Sequence, residues 1–251
     1  LSEFNFRPPA WYETLPSTNT WLLEQVKTRP ETPHGTVVAA RAQTAGRGRQ
    51  QRSWSTVPGC NLTFSFLWNA PVPPEHLPSM AQAISVGIAH FLHGSGLRPT
   101  IKWPNDVLVG GRKIGGILCE TAAGAHPAIV AGIGLNVNMS ADEAASIDQP
   151  ATSMAIETGR TLPVDGVLDA LLEALAPPLN RWSTGGFAAI QGDYTAFAAP
   201  VGSEVTVRDG DRHTSGTLAG FDGRGALCLT LADGTERRFY SGDVVAPQDL
   251  E

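Results

Sequence analysis

Cysteine is scarce: Cys60, Cys119 and Cys228 are the only three, and they lie far apart. Such an odd, scattered set excludes a disulfide framework and a zinc site. Burial as small apolar residues is the default role, and a reducing, cytoplasmic compartment is the expected location. Long apolar runs are missing too, which excludes a membrane-spanning helix. Residues 1–9 lack the basic-then-apolar pattern of a signal peptide. Charged residues are only 17% of the chain and the formal net charge is −6, which argues against non-specific binding to bulk nucleic acid. There is no internal repeat and no low-complexity tract. What remains is 251 residues that are 42% hydrophobic. That is enough for one large domain, or one domain plus a small one, with a real core and no disordered segment.

The basic residues concentrate in Arg41-Ala-Gln-Thr-Ala-Gly-Arg-Gly-Arg-Gln-Gln-Arg-Ser-Trp54, after an apolar run at 36–40 that reads as a buried strand. Gly46 and Gly48 let a ligand approach the main chain. Arg47, Arg49 and Arg52 present planar donors suited to phosphate and carboxylate oxygens. Trp54 adds a flat lid for a ring. A Gly/Arg segment on its own is more often a solvated surface loop, so its meaning depends on its company.

Residues 11–15 read as a short strand ended by Pro16, and Ser17-Thr-Asn-Thr20 supplies caps for the helix that follows. Ser17, Thr18 and Asn19 therefore sit at a strand-to-helix corner. Residues 61–68 alternate as a strand, and 77–92 carry apolar residues at helical spacing. His90 and His93 on that helix read as ordinary surface or core histidines. A short strand at 100–103 is broken by Pro104. Residues 107–109, the Gly110-Gly111 pair and 113–120 read as a hairpin. A strand at 127–138 contains Gly132 and Gly134, and glycine weakens a strand unless something must approach closely. Helices are expected at 152–159, 164–182 and 185–197. After Pro200 the pattern changes to short strands at 204–207, 214–219, 226–231 and 235–240, separated by Asp-Gly turns.

A second charged cluster is Lys102-Trp-Pro-Asn-Asp106, with Lys113-Ile-Gly-Gly116 seven residues on. Lysine among apolar residues is costly to bury unless it meets an anion. Asn105 and Asp106 fall at a turn, where Asp106 could equally stabilise the turn itself. The two glycines after Lys113 allow a ligand to lie against the backbone.

In their order and spacing, these segments resemble the biotin protein ligases. The matching set is Ser17-Thr-Asn19, Gln43 with 45–49 and 52–54, Lys102 to Asp106, Arg112 to Gly116, and Gly132-Ile-Gly-Leu-Asn-Val-Asn138. It covers nearly the whole chain. The resemblance implies an α+β fold: a mixed-sheet catalytic domain of the biotin/lipoate ligase (class II synthetase-like) type over 1–197, and a small SH3-like β-barrel over 198–251. It implies ATP-dependent formation of biotinyl-5′-AMP and transfer of biotin to a lysine of a biotin carboxyl carrier protein. Biotin and ATP are the substrates and Mg²⁺ shares the phosphate charge; no protein ligand set for a metal is assigned.

The resemblance further assigns Lys113, Arg47 and Arg49 to charge stabilisation. Asp106 either orients Lys113 or receives the proton of the incoming lysine. Biotin contacts fall on Ser17, Thr18, Asn19, Gln43, Gly46, Arg47, Gly48, Arg49, Lys113, Gly115 and Gly116. Adenylate contacts fall on Arg47, Arg49, Arg52, Trp54, Asn105, Lys113 and Asn136. Neither membrane nor DNA is an expected partner, because only about ten residues precede the first strand and a winged-helix operator-binding module is not expected. Monomer and homodimer both occur in the family. Two other readings stand beside this one: a lipoate or octanoate ligase or transferase on the same fold, and a non-enzymatic adenylate-binding regulator. One departure is Gln51, where the family usually has glycine; it places the loop's shape or mobility in question.

Overall fold

The computed structural model describes residues 4–54, 57–122 and 128–245, and for Gln51 the backbone only. The larger part is built on a seven-stranded sheet. Its strands are β1 (Ala10–Leu15), β2 (Val37–Gln43), β3 (Asn61–Trp68), β4 (Pro99–Lys102), β5 (Asp106–Val109), β6 (Arg112–Ala122) and β7 (Ala128–Asn136). The spatial order is β1-β2-β3-β7-β6-β5-β4. β1 pairs parallel to β2, with helix α1 (Thr18–Thr28) as the crossover, and the remaining neighbours are antiparallel.

Every residue of the interior strand β3 is buried. Its alternation divides two chemistries. Leu62, Phe64, Phe66 and Trp68 join the main apolar core. Asn61, Thr63 and Ser65 alternate with them and so point to the opposite, polar face. The core face is covered by α2 (Met80–Gly94) and α5 (Val164–Gly185). These helices cross so closely that a Cβ on Gly87 would lie 2.9 Å from the Cα of Leu175. On the other face α1 buries Leu22 against Val38, Ala40, Leu67 and Val130.

A separate five-stranded antiparallel sheet holds β8 (Glu204–Asp209), β9 (Arg212–Phe221), β10 (Leu227–Thr230), β11 (Glu236–Phe239) and β12 (Asp243–Val245), ordered β11-β10-β9-β8-β12. This small sheet is docked firmly. The carbonyl of Gly225 accepts from Gln82 Nε2 at 3.0 Å and from Trp103 Nε1 at 3.1 Å. The α+β class and the separate C-terminal sheet agree with expectation.

Several details differ from the sequence reading. Residues 74–79 form a 3₁₀ segment containing Pro78, so α2 starts only at Met80; proline cannot continue the helix N-terminally with a full ladder. α5 runs through Pro177 and Pro178 and extends to Gly185. The segment expected as one helix at 185–197 splits into a single turn, Phe187–Ala189, and α6 (Gln191–Phe197). The helix expected at 152–159 is the shorter α4 (Met154–Thr158), capped by Ser153 and closed by left-handed Gly159. Helix α3 (Ala141–Ala145) was not expected, although Ser140 and Glu143 form a capping box that marks it in the sequence. Among the described residues no helix is long and apolar enough to cross a membrane.

Candidate active site

The polar face of the sheet floors a cavity of about 690 Å³, walled by the Gly/Arg loop, the β5–β6 hairpin and the β12 edge of the small sheet. That is ample for a small organic ligand. Six cationic side chains line it (Arg47, Arg49, Arg52, Lys102, Lys113 and Arg208) against three carboxylates, Asp106, Asp148 and Asp243. A protein of net charge −6 thus carries an anion-seeking cavity.

The strand-to-helix corner builds one end. Ser17 is the N-cap of α1, its hydroxyl accepting from Thr20 N–H. Thr18 and Asn19 follow in the first turn, each 3% exposed. The Thr18 backbone N–H donates to Gln43 Oε1 at 2.8 Å, tying the end of β2 to the corner. Asn19 Nδ2 donates to Leu118 O at 3.1 Å and to Glu120 Oε2 at 2.8 Å. Its Oδ1 lies 2.6 Å from Ser65 Oγ. A Cβ on Gly132 would collide with that same Asn19 amide, which explains the strand glycine.

The Gly/Arg loop folds as a closed hairpin. Arg47 and Ser53 form an antiparallel bridge, Gly48 N–H donates to Arg52 O at 2.7 Å, and Trp54 N–H donates to Gly46 O at 3.0 Å. Three arginines crowded into one loop repel one another, but each of them meets a carboxylate. Arg47 pairs with Glu120 at 2.8 Å, Arg49 with Asp243 at 3.0 Å, and Arg52 with the same Asp243 at 3.1 Å. The left-handed residue is Gln50 (φ 53°), at a cost of about 1 kcal/mol for a non-glycine. Gln51 stands in the 3₁₀ turn Arg49–Gln51, and its side chain lies outside the described residues.

Trp54 lies flat over β6 and β7. A Cβ on Gly134 would fall 2.7 Å from the indole Nε1, and one on Gly116 3.1 Å from Cζ3. These glycines therefore admit the chain's own tryptophan. The indole Nε1 and both amide atoms of Asn61 are buried with no hydrogen-bond partner among the described residues.

The hairpin builds the other wall. Lys113 Nζ lies 2.9 Å from Asp106 Oδ2, with both side chains about 85% buried (16% and 15% exposed). Nζ also sits 5.6 Å from the Trp54 ring centroid. Asn105 accepts from Arg49 Nη1 at 2.9 Å and donates to Ile117 O. Asn136 Nδ2 donates to Thr152 O at 3.0 Å.

The structure thus gathers Ser17, Thr18, Asn19, Gln43, Arg47, Gly48, Arg49, Arg52, Trp54, Asn105, Asp106, Lys113, Gly116 and Asn136 around one cavity. Gly46 and Gly115 do not line it. Gly46 is packed under Trp54 O and Gln43, and Gly115 faces Leu135 and Ile88 in the core. Four residues were not singled out from sequence: Lys102, Arg208, Glu120 and Asp243. Lys102 stood inside the quoted motif. The Arg49–Asp243 contact spans 194 residues and leaves no local signal.

Residues 11–138 match the profile of the Biotin/lipoate A/B protein ligase family, and residues 201–245 that of the biotin protein ligase C-terminal domain; the chain belongs to that family. Within it, the similarity is to the biotin ligases. The biotin–[acetyl-CoA-carboxylase] ligase of Paracoccus denitrificans is 33% identical over 226 residues, covering 86% of this chain and 92% of that protein. The bifunctional ligase/repressor BirA of Bacillus subtilis is 30% identical over 216 residues, covering 84% of this chain, which spans 66% of that relative's length. The biotin protein ligase of Aquifex aeolicus, solved in complex with biotin and ATP, superposes with a TM-score of 0.81 at 26% identity, covering 96% of this chain and 98% of that one.

Proposed function

We infer that this chain is an ATP-dependent biotin protein ligase. It activates biotin as biotinyl-5′-AMP and transfers it to a lysine of a biotin carboxyl carrier protein. The observation that carries this reading is one cavity holding three things: the buried Lys113–Asp106 pair, the loop arginines, and the Thr18/Gln43 corner. A carboxylate oxygen of biotin attacks the α-phosphorus of ATP. The bond to the bridging oxygen breaks, and pyrophosphate leaves with the electron pair. The amine of the acceptor lysine then attacks the acyl carbon and AMP departs.

Both reactants of the first step are anions, so fixed positive charge is the chief requirement. Lys113 stands between the two, held by Asp106, whose 2.9 Å contact supports an orienting role. Arg47, Arg49 and Arg52 bind the phosphates. Lys102, which has no carboxylate at ion-pair distance among the described residues, joins them. Asn105 and Asn136 position the nucleotide, and Trp54 covers the adenylate. Gln43, Thr18 and Ser17 receive the ureido ring. Among the described residues no three His, Cys, Asp or Glu side chains form a metal cluster. Mg²⁺ would enter with ATP, as its phosphate counter-ion.

The same proposal divides the chain at 197/198 into catalytic and C-terminal units and places it in the cytoplasm, with no DNA partner. Pyrophosphate release with ATP, Mg²⁺ and either biotin or lipoate tests it. Release with biotin alone is expected. Release with lipoate alone would turn the assignment to the lipoate branch, and none with either would leave an adenylate-binding regulator.

A further inference from the structure

Behind the ligand corner, a chain of polar groups runs from the half-buried Glu120 through the buried Asn19 and Ser65 to Thr18, and the proton positions in it are fixed by counting. Asn19 Nδ2 faces two groups that can only accept, Leu118 O and the Glu120 carboxylate. Its two protons are therefore both donated there, and turning the amide over would set its oxygen against two other oxygens. Asn19 Oδ1, facing Ser65 Oγ at 2.6 Å, must accept. A serine hydroxyl has one proton, so the Ser65 proton goes to Asn19. The 2.7 Å contact between Ser65 and Thr18 oxygens then requires the Thr18 proton to point at Ser65. Gln43 is fixed in the same way: the atom receiving Thr18 N–H is its oxygen, and that oxygen lies 3.3 Å from Thr18 Oγ1.

We propose that Glu120, Asn19 and Ser65 form a relay that sets Thr18 as a hydrogen-bond acceptor toward the cavity. On this assignment the relay selects a ligand that offers an N–H at the corner. Thr18 Oγ1 and Gln43 Oε1 then present two neighbouring acceptors with no proton of Thr18 between them. A ring nitrogen bearing hydrogen can donate to these oxygens, whereas a ring oxygen or a sulfur would set a further lone pair against them in a buried place. Ser65 itself is 0% exposed and does not line the cavity, so its part is to position. Glu120 matters because its charge forbids the reversed order. The same carboxylate holds Arg47 at 2.8 Å, which joins the relay to the base of the Gly/Arg loop.

The inference rests on the biotin-ligase reading, and its test separates the two. Binding is measured calorimetrically for biotin and for the two analogues in which one or the other ureido N–H is replaced by ring oxygen. The wild type is expected to disfavour at least one analogue by ~10-fold or more relative to biotin. In Ser65→Ala the Thr18 proton is released and can turn to the analogue's oxygen, so that ratio should fall to roughly threefold, with ATP KM unchanged. Glu120→Gln should narrow the same ratio, and it carries the test if Ser65→Ala does not fold. An unchanged ratio in the folded variants, or a wild type that binds biotin and both analogues equally, overturns the relay alone. So does an equal loss of biotin and ATP binding in Ser65→Ala. A wild type that binds no biotin overturns the functional reading and the relay with it.

Discussion

Replacing Lys113 by alanine should slow adenylate formation by about 10²–10³ at a tolerable cost in stability, and the two effects can be sized separately. Nζ is 2.9 Å from Asp106 Oδ2, with the side chains 16% and 15% exposed. A fully exposed pair contributes about 0–1 kcal/mol. Breaking a fully buried one costs about 3–5 kcal/mol, because a charge is stranded. A pair lying between those limits should cost about 2 kcal/mol, which leaves an ordinary domain folded. The catalytic loss is larger. Losing one donor aimed at developing charge in a closed site removes about 3–4 kcal/mol of transition-state stabilisation, or about 10²–10³ in rate. Lys113→Arg should restore part of the stability but not the rate, since a planar guanidinium is larger and spreads its charge. The assay is pyrophosphate release and free biotinyl-adenylate under saturating ATP, beside urea unfolding. Adenylate formation at the wild-type rate in Lys113→Ala would make Lys113 a hairpin residue and sink the site assignment.

Three further outcomes follow from the same geometry. Asp243→Ala leaves Arg49, Arg52 and Arg208 without the carboxylate they share, so amide exchange across 46–54 should rise several-fold in the ligand-free protein; unchanged protection would show that the loop's own backbone bonds suffice. Gly134→Ala places a methyl inside the Trp54 ring and should destabilise by about 1–3 kcal/mol in urea, with loss of adenylate retention; a wild-type midpoint and activity would mean that Trp54 moves aside freely. Burial holds His34 below its ordinary value, in contact with the Phe4 and Trp68 rings. The unfolded chain therefore takes up a proton first as pH falls below about 6.5, so stability from this group is complete above that pH and is lost as pH falls through the lower folded value. His34→Gln should flatten that part of the melting-temperature profile, and an unaltered slope would assign it elsewhere.

The fold was legible where periodicity and chain geometry act locally. The alternation of 61–68 marked β3, and the break at Pro16 followed by Ser17 marked the corner. Gly110-Gly111 marked the hairpin, where both residues have positive φ. Gly132 and Gly134 were correctly read as places of close approach. What approaches them was not readable, because Asn19 and Trp54 arrive from other elements. The partners of the arginines were hidden for the same reason. Glu120 sits at the far end of β6, whose pairing with β5 shifts register between Val107 and Leu108. Asp243 belongs to a three-residue strand too short to carry a pattern.

The distant carboxylates change how the charge in the loop should be understood. Three arginines within six residues would repel one another in an isolated segment, and an acidic chain does nothing locally to prevent it. Here Glu120 from the main sheet and Asp243 from the small one pair with all three before any ligand arrives and offset part of their charge. The pairs are only partly buried: Arg47 is 44% and Arg52 50% exposed. Such pairs are worth about 1 kcal/mol or less each, enough to bias the loop toward closure and too little to resist exchange. On the proposed reading, a triphosphate, with several charges and bidentate geometry for guanidinium, outcompetes a single carboxylate for the same donors. Binding then replaces weak partners with stronger ones, so little ordering entropy remains to be lost in a loop already folded as a hairpin. On this argument the small sheet is part of the nucleotide site through Asp243 and Arg208. Deleting it should therefore weaken ATP binding more than biotin binding, because the ion pairs it makes across the cavity run to Arg49 and Arg52 of the loop.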